Sequence, residues 1–259
     1  MTWAPIDAVE ARAAALGGEG KRAYVRRIFS EIAPRYDLLN HLLSFNVDRR
    51  WRRLAIGELA WHQRPEGVYL DLCAGTLDVG AMLARQAGFR GLVLGSDFAE
   101  PMLRRGVGKA PSSVLAPLAA DALSLPLATG SMAGAVVAFG VRNLADLDAG
   151  LREVSRVLIP GARFVILEFS TPASPVVRAA YQAYFHLVLP AVGRLVSGHP
   201  TAYRYLPESV ATFPEAEALA ARMREAGFVH VRWRLLTRGI AALHTGEKAE
   251  KAAGAAATP

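Results

Sequence analysis

The chain of 259 residues contains a single cysteine, so it cannot form a disulfide within itself. It also lacks an apolar run of the roughly 18 residues that a membrane-spanning helix requires, because Pro190 and Arg194 interrupt the best candidate. The first residues show neither a basic segment nor an apolar core behind it, so no secretory signal is expected. These absences predict a soluble protein of the reducing cytoplasm.

Acidic side chains are fewer than basic ones, and the formal net charge is +7. Such a charge favours nucleic acid, an anionic membrane surface or an acidic ligand, and it does not distinguish among them. Much of the excess lies in the first sixty residues, where arginines alternate with apolar side chains. This mixture predicts either an amphipathic helical lid that contacts a membrane or helices with a solvated basic face.

The loop after the first apolar run is poor in glycine. A dinucleotide-binding loop has three glycines, as G-x-G-x-x-G, whereas this loop contains only Gly75. A strand at Val68–Leu72 precedes it, a helix follows through Met82–Gln86, and a second strand at Leu92–Gly95 leads to Asp97. The short loop suits a ligand without a phosphate, such as S-adenosylmethionine.

Asp97 stands where an acid at the edge of a parallel sheet can accept hydrogen bonds from both ribose hydroxyls of a nucleoside. The alternative for Asp97 is an ordinary helix N-cap, and the alternative for Gly75 is a simple turn. Asp121 and Ala122 follow the third strand, where an acid can accept the exocyclic amine of adenine. Asp121 is equally typical of a turn.

Apolar runs alternate with helical patterns along the rest of the chain. This alternation predicts a doubly wound, mostly parallel α/β sheet of the Rossmann type with helices on both faces. The predicted strands are Val68–Leu72, Leu92–Gly95, Val114–Ala119, Ala133–Phe139, Phe164–Phe169, Val229–Leu235 and Ile240–His244. Two further helices are predicted at Asp146–Leu158, which Pro160-Gly161 terminates, and at Pro214–Ala226, which Gly227 ends.

The same patterns divide the chain into three parts. Residues 1–60 form an N-terminal helical lid, residues 61–245 form the main domain, and residues 246–259 form a disordered tail. Within the main domain, residues 171–213 form a late insertion over the site.

Several motifs together resemble the ubiquinone/menaquinone biosynthesis C-methyltransferases, a branch of the class I S-adenosylmethionine-dependent methyltransferases. The resemblance runs over nearly the full chain, and its narrowest signatures are F-G-x-R-N and Y-R-Y-L-x-E-S. The matching segments are Phe29–Asn40, Leu42–Phe45, Phe139–Leu144, Arg156–Gly161, Leu167–Pro172 and Tyr203–Ser209.

The resemblance implies methyl transfer from S-adenosylmethionine to a ring carbon of a prenylated quinol, most simply demethylmenaquinol. The resemblance assigns Thr76, Asp97, Asp121 and Ala122 to the cofactor, and the loop after the first strand adds Asp71 and Gly75 to the expected cofactor site. Arg142 is the leading candidate for stabilising a developing quinolate, with an ion pair to Asp146 or Asp148 as the alternative, and Asn143 orients the acceptor or caps the next helix. The residues expected to bind the acceptor are Tyr36, Asp37, Asn40, Tyr203, Arg204 and Tyr205.

The chain departs from the family at Ala74 and Leu77, where glycines are common. These side chains are tolerable if they point into the helix packing. No metal is expected, since the histidines form no metal-binding pattern.

The alternatives are a polyprenyl benzoquinol as acceptor, an RNA methyltransferase, an NAD-linked oxidoreductase and a catalytically silent subunit of a quinone-synthesis assembly. No nucleic acid partner is expected, because no aromatic-basic recognition motif is present. Contact with the inner membrane face and a homodimer are left open.

Overall fold

The computed structural model describes residues 14–15, 19–37, 44, 46–184 and 202–250, without the side chains of residues 19, 35 and 202–204. Its centre is a seven-stranded sheet whose strands all coincide with predicted ones. They are β1 (Val68–Leu72), β2 (Leu92–Asp97), β3 (Leu115–Ala119), β4 (Met132–Ala138), β5 (Leu158–Phe169), β6 (Phe228–Leu236) and β7 (Ala241–Lys248).

The strand order is β3-β2-β1-β4-β5-β7-β6. Strands β1 to β5 are parallel, and β7 runs antiparallel to both β5 and β6. The chain reverses its direction of winding between β1 and β4, and ligands of such sheets bind at the carboxyl ends of the strands at this point. The predicted fold class is confirmed.

Helices cover both faces of the sheet, and two of them precede it. They are α1 (Glu19–Ile32), α2 (Val47–Glu58), α3 (Asp78–Ala84), α4 (Glu100–Gly106), α5 (Leu147–Val157), α6 (Pro175–Ala183), α7 (Ala202–Ala211) and α8 (Ala216–Glu225). Helices α1 and α2 lie in the predicted lid, and α6 and α7 lie in the predicted insertion. In the part of the chain that the structure describes, no helix is long and apolar enough to cross a membrane.

Two boundaries differ from the prediction by more than two residues. Strand β5 begins at Leu158, directly after α5, because Leu158 is already extended and Ile159 precedes a proline, which disfavours the helical conformation. Strand β7 continues through Lys248, so a disordered tail starting at residue 246 is wrong for its first three residues. Gly246 pairs with Phe164 and Glu247 with Arg163 of β5, and Glu247 and Lys248 also pair with Val229 and Phe228 of β6.

Packing on the two faces of β1 explains why the strand end is rigid. Tyr69 packs on one face of the sheet, while Leu70 and Leu72 pack on the other, and each of these side chains is at most 1% exposed. A continuous apolar run of this kind is typical of a parallel strand that is covered on both faces. The loop that follows β1 therefore starts from a fixed point.

Candidate active site

The loop between β1 and α3 is a tight turn that is fastened to β2. Gly75 has a φ of +52°, a conformation that disfavours other residues. Its backbone N–H donates to Oδ2 of Asp97 at 2.8 Å. The predicted turn is confirmed, and the hydrogen bond fixes the ends of two neighbouring strands relative to each other.

Asp97 ends β2 and lies in the wall of a cavity. Its Oδ1 accepts a hydrogen bond from the amide of Ala99 at 2.8 Å. Burial raises the pKa of this carboxyl group, and the backbone hydrogen bonds from Ala99, Gly75 and Phe98 oppose the shift. Asp97 therefore orders the turn before α4, although the N-cap of that helix is Ala99.

Asp121 and Ala122 follow β3 and line the same cavity. Oδ1 of Asp121 accepts from the amide of Leu123 at 3.0 Å, which is the hydrogen bond expected of a turn residue. Oδ2 of Asp121 forms an ion pair with Arg22 of α1 at 2.7 Å. Asp121 thus forms the turn and also lines the cavity, and its contact with adenine stays a prediction.

Helix α1 and the residues after it close the cavity from the opposite side. Arg22, Val25, Phe29 and Tyr36 line it there. We call the segment 19–37 the roof. It brings an exposed arginine and three apolar or aromatic side chains over the acids at the strand ends, so the cavity combines carboxylates with an apolar cover.

Two of the predicted cofactor residues lie beneath the loop, and neither is among the residues that line the cavity. Asp71 is 1% exposed, and its Oδ2 accepts from the amide of Gly80 at 2.8 Å. Thr76 is also buried, and its hydroxyl group hydrogen-bonds to the carboxylate of Asp37. These contacts give both residues a part in holding the loop, and contact of either with a cofactor stays a prediction.

Lys109 joins the roof to the loop. Its Nζ lies 2.7 Å from Oδ2 of Asp37 and 2.6 Å from Oδ1 of Asp78, the first residue of α3. Asp37, which was predicted to bind the acceptor, is therefore held between Lys109 and Thr76. This arrangement ties the end of the roof to the floor of the cavity.

Arg142 occupies the short 3-10 turn Val141–Asn143 after β4, and its ion-pair partner differs from those predicted. Its Nη1 lies 2.7 Å from Oε1 of Glu168 at the end of β5, and both side chains are buried. The alternative pairing with Asp146 or Asp148 is wrong. Asp146 caps α5 through the amide of Ala149, and Asp148 pairs with Arg222 of α8 at 3.1 Å.

Asn143 lies at the cavity, whereas Arg142 lies behind it. Two polar atoms of this turn, Oδ1 of Asn143 and Nε of Arg142, are buried without a hydrogen-bond partner among the described residues. Buried polar groups are nearly always paired in folded proteins. An unpaired acceptor in a residue that lines the cavity is expected of a group that binds a ligand.

The remaining predicted acceptor residues fall into two groups. Tyr36 lines the cavity, and Tyr205 is buried with its ring 5.5 Å from that of Tyr24. Asn40 and the side chains of Tyr203 and Arg204 lie outside the described residues.

The sequence interpretation missed three residues of this site, namely Lys21, Lys109 and Glu168. Glu168 ends a parallel strand as Asp97 does, and that position was a signal for it. Lys21 and Lys109 gave no local signal, since their contacts lie 121 and 72 residues away along the chain.

A doubly wound sheet with an acid at the end of β2, a single-glycine loop after β1 and a roofed cavity at the switch point defines the class, a Rossmann-like nucleotide-binding fold. One solved structure of similar fold is a chain from the complex between the Haloferax volcanii Trm112 methyltransferase activator and a methyltransferase. It has a TM-score of 0.61 and 15% identity, and the match covers 86% of this chain and 98% of that chain.

Residues 18–248 match the ubiE/COQ5 methyltransferase family, and the chain belongs to that family. It is 50% identical to the demethylmenaquinone methyltransferase of Thermus thermophilus over 223 residues, which are 85% of this chain and 100% of the relative. It is 44% identical to the ubiquinone/menaquinone biosynthesis C-methyltransferase of Geobacter sulfurreducens, over 88% of this chain and 89% of the relative. Family membership confirms the predicted methyltransferase activity and the predicted cofactor, S-adenosylmethionine.

Proposed function

We propose that this protein methylates a ring carbon of reduced demethylmenaquinol. The observation that carries the proposal is the 50% identity to a demethylmenaquinone methyltransferase over that relative's entire length. A second candidate acceptor is a prenylated benzoquinol, because the name of the Geobacter relative includes ubiquinone synthesis.

The cavity has the groups that S-adenosylmethionine requires. Asp97 would hold the ribose hydroxyls, Asp121 and Ala122 would hold adenine, and Gly75 lets the backbone approach the rest of the molecule. The hydroxyl of Ser96, which lines the cavity, is buried without a partner among the described residues, as expected of a group that binds a ligand. When bound, the cofactor supplies an electrophilic methyl group on a sulfonium centre.

The acceptor must be the reduced quinol, because its ring carbon is nucleophilic only when the neighbouring hydroxyl donates electron density. A new bond forms between that carbon and the methyl carbon as the methyl–sulfur bond breaks, and one proton leaves in the balance of the reaction. The protein must hold the reacting atoms in line, which is worth about 7–11 kcal/mol in well-ordered systems.

Asn143 and Arg142 are the residues that we assign to the hydroxyl group. A hydroxyl group can donate to the unpaired Oδ1 of Asn143, which lines the cavity, and Arg142 lies behind the cavity with an unpaired Nε. A guanidinium does not act readily as a base, so Arg142 serves here as a hydrogen-bond donor and not as the proton acceptor. Tyr36, Asp37, Asn40, Tyr203, Arg204 and Tyr205 complete the proposed acceptor site.

The acceptor's prenyl chain dissolves in a bilayer, so we also propose that the protein collects it at an anionic membrane surface. The exposed arginines of α1 and α2 support this proposal, and they are Arg22, Arg26, Arg27, Arg49, Arg50 and Arg53. Binding to anionic vesicles that fades as salt is raised would fit, and equal binding to neutral vesicles would contradict it. A homodimer remains a prediction that the mass in solution can test.

The test is an anaerobic assay in which demethylmenaquinol and a demethylated benzoquinol analogue of equal prenyl length are offered side by side with S-adenosylmethionine. We expect the naphthoquinol to have the higher kcat/KM. A higher value for the benzoquinol would replace the first candidate with the second.

A further inference from the structure

Behind the turn that carries Asn143 lies a buried cluster of three charged side chains. Glu168 accepts hydrogen bonds from Nη1 of Arg142 at 2.7 Å and from the amide of Arg142 at 3.3 Å. This carboxylate therefore compensates the charge of Arg142. On its own, the Arg142–Glu168 pair offers no excess positive charge to an anion.

Lys21 of the roof is the third member. It is 8% exposed, and its Nζ donates to the backbone carbonyl of Arg142 at 2.8 Å. No carboxylate lies within ion-pair distance of Lys21 in the described ranges. Burial, together with the nearby charge of Arg142, lowers the pKa of Lys21 to about 8, so the amine still carries most of its charge at neutral pH. The cluster of Lys21, Arg142 and Glu168 thus holds a net charge of about +1.

The charged and titratable groups around this cluster come from four elements. Burial lowers the pKa of Arg142, whereas Glu168 of β5 and the phenols of Tyr36 and Tyr205 raise it. The charges of Arg142 and Glu168 in turn act in opposite directions on the pKa of Tyr181 of α6. Burial raises the pKa of Tyr181 and Tyr205, so both phenols stay neutral at ordinary pH. Among these described groups, Glu168 carries the negative charge, and it is already paired with Arg142.

The excess charge lies next to the cavity. Val25, one helical turn after Lys21, lines the cavity, and so does Asn143, whose amide shares a peptide group with the carbonyl that Lys21 contacts. A buried cation without a counterion is costly, and an anion that binds nearby relieves the cost. An ionised phenolic oxygen of the acceptor would be such an anion.

We propose that Lys21 is the residue whose positive charge makes the acceptor's hydroxyl group ionise in the site. Lys21 is a positioning residue, which acts across the Arg142–Asn143 peptide rather than by contact with the acceptor. In this step the O–H bond breaks, its electron pair stays on oxygen to activate the ring, and the proton passes to water. The inference rests on the proposed function, because it requires a phenolic acceptor.

The test measures the pKa of a bound naphthol that has a single hydroxyl group, 4-methoxy-1-naphthol, from the absorbance of its ionised form. The protein is saturated with S-adenosylhomocysteine, which lacks the sulfonium charge. We expect the pKa of the bound naphthol to be about one pH unit below that of free naphthol, the smaller end of the range for an adjacent opposite charge. In Lys21→Met most of this difference should disappear, and the acid limb of the kcat profile should move to higher pH.

Two matched variants complete the design. Lys21→Arg keeps the charge and should keep the lowered naphthol pKa, which also covers the case in which Lys21→Met fails to fold. Arg105→Met removes one exposed charge from α4 and should leave the naphthol pKa unchanged.

Two results would overturn the inference while leaving the proposed function intact. The first is that the pKa of the bound naphthol is the same in Lys21→Met as in the parent protein. The second is that the parent protein binds naphthol without lowering its pKa. A parent that binds S-adenosylhomocysteine but neither binds naphthol nor methylates a quinol would overturn both.

Discussion

At the residue scale, the buried carboxyl group of Asp71 makes the stability of the folded protein depend on pH. Its carboxyl group lies under the loop and accepts a hydrogen bond from Gly80. Burial raises the pKa of Asp71 from 3.8 to about 7, against the opposing effects of the Gly80 hydrogen bond and the Arg52 charge. The folded state therefore keeps a proton on Asp71 that the unfolded state releases.

This shift predicts the sign of a pH effect on stability. Between pH 3.8 and about 7 the folded state binds more protons than the unfolded state, so the contribution of Asp71 to the free energy of unfolding falls as pH rises. Asp71→Asn keeps an acceptor for Gly80 but cannot ionise. Relative to the parent, it should gain on the order of 2–4 kcal/mol between pH 4 and pH 8, as measured by urea unfolding.

Asp146→Asn is the matched control, because it makes the same change at an exposed helix cap, where asparagine caps equally well. It should show no comparable pH-dependent gain. If Asp71→Asn differs from the parent by the same amount at pH 4 and pH 8, Asp71 does not hold the proton described.

At the residue scale, the sequence located the groups that stand at strand ends. Gly75, Asp97, Asp121 and Asn143 each follow a parallel strand, and strand ends meet at one edge of the sheet. The direction in which each side chain points, and hence its partner, could not be predicted in the same way. The turn that carries Arg142 was predicted correctly, but its predicted ion-pair partners were wrong, because the actual partner, Glu168, comes from another strand.

At the scale of elements, the loop and α3 accommodate the large side chain of Leu77. Leu77 has a φ of +64° and is 1% exposed, so its side chain points into the core and away from the cavity. The space that it fills lies over Gly95 of β2, where an added Cβ would be 2.1 Å from Cδ2 of Leu77. The loop and β2 therefore pack closely because the large side chain of Leu77 lies over Gly95, which has none.

Gly95→Ala should lower the free energy of unfolding by about 1–3 kcal/mol, because the new methyl group overpacks against Leu77. In a Leu77→Ala background the same substitution should cost much less, since the obstructing atoms are absent. Chemical denaturation of the four proteins gives the coupling as a double-mutant cycle.

Gly57→Ala serves as the control, because an added Cβ at this position of α2 meets nothing within 4 Å. It should be neutral or stabilising, since alanine favours helices over glycine. Additive costs for Gly95→Ala and Leu77→Ala would contradict the proposed fit.

The elements themselves were largely predictable, and their ends and contacts were less so. Apolar runs between turn residues located all seven strands. The early start of β5 and the late end of β7 escaped prediction because pairing between distant strands extends them. The roof was predicted as a lid, yet its attachment through Lys21, Arg22 and Asp37 depends on residues far along the chain.

At the scale of the whole molecule, a basic roof, a wall that carries Asp97 and Asp121, and a buried cationic cluster surround one cavity. The +7 net charge left several partners open when the sequence was considered alone. In the structure, several of these basic side chains make specific contacts. Arg22 pairs with Asp121, Lys109 ties Asp37 to α3, and Lys21 lies behind the proposed acceptor site.

The central claim is that the protein transfers a methyl group to the reduced form of its acceptor. The most direct measurement incubates the protein anaerobically with S-adenosylmethionine and either demethylmenaquinol or oxidised demethylmenaquinone, and follows the product by mass spectrometry. We predict a product that is heavier by one methyl group on the ring with the quinol and none with the quinone. Absence of that product from the quinol, with S-adenosylmethionine demonstrably bound, would contradict the account.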